Sequence, residues 1–482
     1  MASFGIEWET NALMLDMPEG KREKRPIIKN DKWSITLEGI RFYQIRDGKK
    51  ERPENDEDCQ YNLEVQIGPV ISNNYGSFDY RGVMDSCNHF FKNIWSKILD
   101  KKHIVIDGKE YPVLSYSIGN TAEERFEDCK LSMPGTLNNT EGNEWGYIKS
   151  LNNIYGKAQF TIGLKLKDVF AVFRRIVKLY VDCSEDETKC STILRRGHLY
   201  FIINAYFDTY EECLELNRPI SPELLSFIML VNYSLYVNKI PWKKYFKALF
   251  LIKPRTNFAC IYNLLSNDDK DTFDEWVEKC IFERMTDKLE ENKSVEDMDS
   301  EIVEKINEEI SSLKKWFDDI KNPTQKCYLI ANSEAVGKYE LVTSDNKEII
   351  ETSRKVPCAL YPGYKKFSKV DFEDGKIVHT IWGQDLQEWS AGPNGEIYLE
   401  FRSVETIYSL ISKEVNDSFT KIEGRSSIGL YNQLGLTTIA GVFVKHFLNP
   451  IFEAKERKMI RRNKVNLEPF NATIKKFEVD RL

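Results

Sequence analysis

Phe4-Gly5-Ile6-Glu7-Trp8-Glu9 alternates strictly between large apolar residues and small or acidic ones. A β-strand turns successive side chains to opposite faces, so this period predicts a strand with Phe4, Ile6 and Trp8 against a core. Glu7 and Glu9 then stand side by side on the other face. Two carboxylates so placed repel each other unless a cation or an arginine lies between them. Magnesium, which prefers hard oxygen ligands, is one such cation; a solvent-exposed strand face is the plain structural alternative.

Three further segments repeat the pattern. In Asn62-Leu63-Glu64-Val65-Gln66-Ile67-Gly68-Pro69, Glu64 and Gln66 share a face and Gly-Pro ends the strand. In Ala158-Gln159-Phe160-Thr161-Ile162-Gly163-Leu164, Gln159, Thr161 and Gly163 line one side. In Tyr398-Leu399-Glu400-Phe401-Arg402, Glu400 and Arg402 fall together. Each polar face carries groups suited to a metal or a phosphate, and an arginine offers phosphate oxygens a planar fork.

Strand patterns also cover Trp33 to Ile45 and the pair His103 to Ile106 and Val113 to Ile118, joined through Asp107-Gly108. From about Lys167 to Ile320 the pattern is helical. It includes the apolar run Leu224 to Val237 and a last helix with Ile302, Ile306, Ile310, Leu313, Phe317 and Ile320 in phase. Strand patterns return at Tyr328 to Ala331, Lys338 to Val342 and Val378 to Trp382, and a hairpin at Asn394-Gly395 leads into Glu396 to Arg402. Helices are expected at Val404 to Val415 and Thr438 to Ala454. The expected fold class is α+β: an antiparallel sheet assembled from N-terminal (1–166) and C-terminal (323–482) pieces, with a helical insertion (167–322) across its back.

With 482 residues, 41% hydrophobic and 30% charged, the chain is ordinary for a globular protein and long enough for more than one subdomain. A net charge of −7 speaks against a general nucleic-acid binder. The basic strip Lys455 to Lys464 reads as the solvated end of a helix. Ten scattered cysteines without a CxxC pair suggest buried thiols in a reducing, cytoplasmic setting. No run is long enough to cross a bilayer, and the N-terminus has no signal-peptide pattern. His198, His379, His446, Cys260, Cys280, Glu123-Glu124 and Asp268-Asp269 read as structural rather than catalytic. Neither a P-loop nor a G-x-G-x-x-G turn is present.

Gly-x-Glu-x-Glu on the opening strand and Glu-x-Arg on a late strand resemble the glutamate–cysteine ligase and amidoligase group of the glutamine synthetase-like fold. The resemblance implies ATP and magnesium as cofactors, with Glu7, Glu9, Glu64 and Glu400 as metal ligands. It implies nucleotide contacts from Gln159, Thr161 and Arg402, and catalytic charge stabilisation by Arg402 and by Arg255 of the basic segment Lys253-Pro254-Arg255-Thr256. Many members carry a His where this chain has Gln159. The implied reaction is ligation of a carboxylate to an amine through an acyl phosphate, the substrates being small molecules or protein side chains. Two other readings remain: a catalytically inactive structural or interaction protein that keeps the fold, and an unrelated α+β protein in which Glu7, Glu64, Glu400 and Arg402 lie far apart. Oligomeric state is not legible.

Overall fold

In the computed structural model the described residues are 2–14, 26–38, 44–46, 49–51, 61–73, 77–101, 103–117, 146–148, 156–183, 199–237, 251–256, 258–293, 300–321, 338–342, 347–351, 370–373, 376–380, 395–402, 404–411, 430–431 and 433–453. The strands are β1 (Ser3–Met14), β2 (Pro26–Lys29), β3 (Trp33–Glu38), β4 (Gln44–Arg46), β5 (Lys49–Glu51), β6 (Tyr61–Ile71), β7 (His103–Ile106), β8 (Lys109–Ser117) and β9 (Gly146–Ile148). They continue as β10 (Gly156–Lys165), β11 (Ile252–Pro254), β12 (Lys338–Val342), β13 (Lys347–Glu351), β14 (Val370–Glu373), β15 (Lys376–Thr380), β16 (Glu396–Phe401) and β17 (Leu430–Tyr431).

Among the described residues eleven strands form one sheet, whose main path runs β11-β16-β10-β1-β6-β3-β2. All its pairings are antiparallel. β1 lies near the middle because its alternation serves two faces at once: Phe4 and Trp8 are fully buried and Ile6 nearly so, while Glu7 and Glu9 point the other way. The sheet is the α+β arrangement expected, joining N-terminal strands to β16 near the other end of the chain.

The apolar face is packed with rings. Helix α1 (Tyr80–Phe90), capped by the Asp79 side chain, runs through a π-helical turn at Phe91–Trp95 into α2 (Ser96–Lys101). Its end brings Phe91 and Trp95 edge-on to Trp8, with ring centroids 5.3 and 5.6 Å away. Later in the chain, α10 (Val404–Ile411), α11 (Gln433–Val442), a π-helical turn at Phe443–Leu448 and α12 (Asn449–Phe452) close over the same face. Phe443 touches Phe4, Phe160 and Phe401, one ring from each of three neighbouring strands, at 5.9, 4.9 and 5.2 Å.

The middle of the chain is helical but not wholly so. α3 (Leu166–Cys183) follows β10 directly, then α4 (Leu199–Glu215), α5 (Pro222–Val237), α6 (Phe258–Tyr262), α7 (Asn267–Trp276), a π-helical turn at Val277–Glu283, α8 (Arg284–Lys293) and α9 (Ser300–Lys321). α5 is buried from Leu224 to Tyr236, as its apolar composition predicts. β11 interrupts this block: the basic segment read as part of the helical insertion forms a sheet-edge strand beside β16. Pro254 is tolerated there because an edge strand has one side without ladder partners. The Tyr233 hydroxyl donates to the Ile252 carbonyl at 2.7 Å and ties α5 to that edge.

Other elements depart from expectation in detail. The strand expected over Trp33 to Ile45 ends at Glu38, and Gln44–Arg46 pairs instead with Lys49–Glu51; Asp47-Gly48 between them in sequence is a hairpin-favouring dipeptide. The Asp107-Gly108 hairpin forms, both residues taking positive φ (51° and 83°), the geometry of a type I′ turn. β16 pairs with β10 and β11, while Asn394 and Tyr328 to Ala331 lie outside the described residues. So do His198, Glu123-Glu124 and the strip Lys455 to Lys464. No helix among the described residues is long and apolar enough to cross a membrane.

Phe443→Ala removes the ring that three strands share. It is expected to lower the unfolding free energy by about 3–5 kcal/mol in equilibrium denaturation; a loss below about 1 kcal/mol would contradict this packing.

Candidate functional site

The side of the sheet opposite the rings is polar, and strand register assembles it. Glu7 lies across from Gln159 on β10 and from Gln66 on β6. Glu9 lies across from Glu64. One strand further out, Thr161 faces Glu400 on β16, and Glu400 faces Lys253 on β11. Arg255 and Arg402 are held at the same edge, their backbone amides donating to the carbonyls of Tyr398 and Leu251. In the other direction Ser34 and Thr36 on β3 pair with Gln66 and Glu64. The four dispersed segments therefore occupy neighbouring strands of one sheet, and Arg255 joins them. The reading in which Glu7, Glu64, Glu400 and Arg402 lie far apart does not describe this chain.

The face is enclosed. Glu9, Glu64, Gln159, Thr161, Lys253, Arg255, Glu400 and Arg402 are all at least nine-tenths buried, and Glu400 is fully so. Burying charge is costly unless it is paired, and the pairing is direct. Both oxygens of Glu400 are engaged by guanidinium groups, Oε1 by Arg402 Nε and Oε2 by Arg255 Nε. Burial alone would raise the Glu400 carboxyl, but Arg255, Arg402 and Lys253 override it and hold the group down at about 2. The Arg402 guanidinium is in turn raised, because Glu400, Glu9 and Glu7 outweigh the burial that opposes its charge.

The neutral amides serve the other acids. Gln159 Nε2 donates to Glu9 Oε1, and Gln66 Nε2 donates to Glu64 Oε1 at 2.7 Å. Ser34 Oγ donates to Gln66 Oε1 at 3.1 Å, extending the chain onto β3. Glu7 keeps part of its surface exposed, yet its carboxyl is pushed up to about 7. Desolvation is the main cause, and Glu400 and Glu9 add to it against the pull of Arg255 and Arg402. Two buried hydroxyls on this face, Thr161 Oγ1 and Thr36 Oγ1, have no hydrogen-bond partner.

The sequence put Glu7 with Glu9, Glu64, Gln159 with Thr161, and Glu400 with Arg402 on the polar faces of four strands and left Arg255 in a basic segment of the helical block; the register brings them all to one face of the sheet. It missed how Glu400 is held: its immediate partners are two arginines. Among the described residues no group of three or more His, Cys, Asp or Glu side chains is arranged to hold a metal ion. Sequence reasoning named Lys253 only within the basic segment, and it left out the β3 hydroxyls. The alternation Trp33-Ser34-Ile35-Thr36-Leu37 carries that second signal. The residues set aside as structural stay apart where described: Asp268 and Asp269 sit in the first turn of α7 behind the Ser266 cap, and the His446 carbonyl accepts from Arg175. Cys87, Cys213 and Cys280 are buried. Burial pushes Cys87 up to about 12, which removes the thiolate a nucleophile needs.

No family model matches the chain, and no curated protein matches it. Among solved structures it is similar to the ACD domain of a VgrG toxin of Vibrio cholerae, a point mutant in complex with ADP and Mn++. That alignment has 12% identity and a TM-score of 0.33 over 85% of this chain and 96% of that chain. It is also similar to a Vibrio cholerae toxin from the MARTX/VgrG family, at 11% identity and a TM-score of 0.33 over 83% and 93% of the two chains. A likeness at this level decides neither fold family nor chemistry.

Two outcomes follow from the charges. A carboxyl raised in the folded state contributes stability below its unfolded value and loses it as pH rises through the folded value, here from about 4.5 to about 7. Without divalent metal, Glu7→Gln is therefore expected to gain on the parent between pH 5 and pH 8, by on the order of 1–3 kcal/mol in denaturant titrations. A difference independent of pH would contradict the assignment. Glu400→Gln leaves two guanidiniums without their shared counter-charge. At pH 7 it should cost about 3–5 kcal/mol, and a near-neutral result would mean that Glu400 does not hold them.

Proposed function

We propose that this polar face is the active site of an ATP- and magnesium-dependent ligase that joins a carboxylate to an amine through an acyl phosphate, in a fold of the glutamine synthetase-like kind. The observation that carries the reading is the convergence itself. Acids from β1 and β6, an amide and a hydroxyl from β10, an acid–arginine pair on and just beyond β16 and a second arginine just beyond β11 share one buried face.

The donor set suits a magnesium ion that arrives with a nucleotide. Magnesium keeps several waters and is usually bound by one or two carboxylates together with phosphate oxygens, so a closed three-acid cage is not required. Glu7, Glu9 and Glu64, with Glu400 beside them, would hold the metal, which supplies charge neutralisation for the polyphosphate. The raised carboxyl of Glu7 fits this role, since a cation next to it would relieve the repulsion from Glu9 and Glu400.

Arg402 and Arg255 do the work of charge stabilisation. Their guanidiniums are pre-organised on Glu400, pointing along one edge of the site, and planar forks of this kind suit phosphoryl oxygens. Thr161 and Gln159 stand between the acids and the arginines in the register, where a bound nucleotide would meet both. No side-chain nucleophile is needed, which agrees with the buried, raised thiols among the described cysteines. Burial of the face also limits hydrolysis of an activated carboxylate. The carboxylate and amine partners are either small molecules or protein side chains.

Calorimetric titration of magnesium-ATP into the full chain tests the reading, beside a Glu7→Gln/Glu9→Gln variant confirmed folded by circular dichroism. The parent should bind only with divalent metal, and the variant should bind at least about tenfold more weakly, a change of about 1.4 kcal/mol. If the parent binds no nucleotide under any of several divalent metals, the chain is a structural or interaction protein that keeps a ligase-like sheet.

A further inference from the structure

Two cross-strand rows of the polar face end on β3. One runs Gln159, Glu7, Gln66, Ser34 from β10 to β3, and its neighbour runs Glu9, Glu64, Thr36 from β1 to β3. β3 thus sets one hydroxyl at the end of each row, and the two hydroxyls are used differently. Ser34 Oγ is spent inside the protein, donating to Gln66 Oε1 at 3.1 Å. An ionised carboxylate only accepts, so Gln66 turns its amide nitrogen to Glu64 Oε1, at 2.7 Å, and presents its oxygen to Ser34. The chain from Ser34 through Gln66 therefore fixes one oxygen of Glu64.

Thr36 has no such employment. It is more than nine-tenths buried, and its Oγ1 has no hydrogen-bond partner. Yet it lies across from Glu64, and Glu64 lies across from Glu9. Residues directly opposite in an antiparallel pair have Cβ atoms roughly 5 Å apart, so the threonine flanks the acid pair from the β3 side. A buried hydroxyl left unpaired costs the free protein stability, and valine, with the same branched shape, would avoid that cost in a strand. The indole N–H groups of Trp8 and Trp95 are unpaired as well, so the unmet bond alone singles out nothing. Thr36 differs in its place: the indoles sit among rings, whereas the hydroxyl closes a row of carboxylates.

We propose that the Thr36 hydroxyl receives a water carried by a divalent cation that Glu9 and Glu64 hold, which makes β3 a further strand of the binding site. This rests on the reading of the face as a magnesium–nucleotide site and adds a binding residue to it. Magnesium gives up its waters reluctantly and keeps several when one or two carboxylates bind it. Each retained water turns its protons outward and needs acceptors, which an enclosed site must supply from the protein. The amide nitrogens of Gln66 and Gln159 cannot serve, because they donate and are already given to Glu64 and Glu9. Thr36 Oγ1 offers unused lone pairs at the end of the same row. The roles then divide: the acids bind the ion, the glutamines and Ser34 hold the acids, and Thr36 holds the ion's water.

The test titrates ATP into the full chain, Thr36→Val and Thr36→Ser at a series of magnesium concentrations, and measures Tm without metal. Thr36→Val is expected to keep or raise the metal-free Tm, because it removes an unpaired buried hydroxyl and suits a strand. It should nonetheless need about fivefold or more magnesium for half-maximal ATP binding. Thr36→Ser restores the hydroxyl and should bring that need back to within about twofold of the parent. A parent-like magnesium requirement in Thr36→Val overturns the role of Thr36 and leaves the nucleotide reading standing. So does a Thr36→Ser as impaired as Thr36→Val, since the methyl group and not the hydroxyl would then matter. A metal-free Tm of Thr36→Val well below the parent also overturns it, because the hydroxyl would then serve the fold. Absence of metal-dependent ATP binding by the parent removes the nucleotide reading and this role together.

Discussion

The register between β1 and its neighbours governs the rest of this molecule. Because strand side chains alternate, one pairing fixes two surfaces: Phe4, Ile6 and Trp8 enter the ring-packed layer as Gly5, Glu7 and Glu9 enter the polar one. A slip by one residue would bury Glu7 and Glu9 among Phe78, Phe91, Trp95 and Phe443 and expose the aromatic set. No partial version of that exchange is tolerable, since buried unpaired carboxylates and exposed indoles are both penalised. The helices of the apolar face therefore hold the geometry of the polar one. Phe443, wedged against strands β1, β10 and β16, locks together the three strands that carry Glu7, Thr161 and Glu400.

Charge is distributed unevenly across the polar face. Lys253, Arg255 and Arg402 cluster around Glu400 at the β11–β16 edge, whereas Glu7, Glu9 and Glu64 lie toward β1 and β6 with the amides of Gln159 and Gln66 against two of them. Glu400 stays ionised and anchors the arginines; Glu7, in the desolvated middle, holds its proton up to about neutrality. Two carboxyls in one site are thus driven apart by their surroundings, a pattern that burial and nearby charge create together. A second enclosed acid, Glu212 in the helical block, shows the structural version of the same problem. Asn232, Trp276 and Arg284 all donate to it, and none of them faces the sheet site.

Much of this was legible in the sequence because a period of two is a local signal. The alternation around Glu7, Glu64, Thr161 and Glu400 names both the strand and its polar side. What alternation cannot encode is which strands become neighbours, and β11 illustrates the gap. Ile252–Pro254 is too short to show a period, it follows a helical stretch, and its place beside β16 depends on a long-range pairing. The ion pairs of Glu400 were illegible for the same reason, since Arg255 is distant in sequence and Arg402 was read as a phosphate ligand alone. Ser34 and Thr36 were visible as alternation, but nothing local ties them to β6.

The two faces of the sheet obey opposite rules. On the apolar side nearly every ring meets another ring, and the helices leave Phe4, Trp8, Phe160, Leu399 and Phe401 without exposed surface. On the polar side the sheet carries crowded acids and two buried hydroxyls without partners. Each of these lowers the stability of the free chain by an amount comparable to a typical point mutation. They share one face and lie within a few residues of one another in the register. The ring-packed layer also leaves buried groups unpaired, the indole N–H groups of Trp8 and Trp95, so unmet hydrogen bonds alone do not single out the polar face; the fully buried acid clamped by two arginines does. Crowded carboxyls and a buried acid–arginine cluster, backed by a ring-packed layer, are a cost that folding alone does not require.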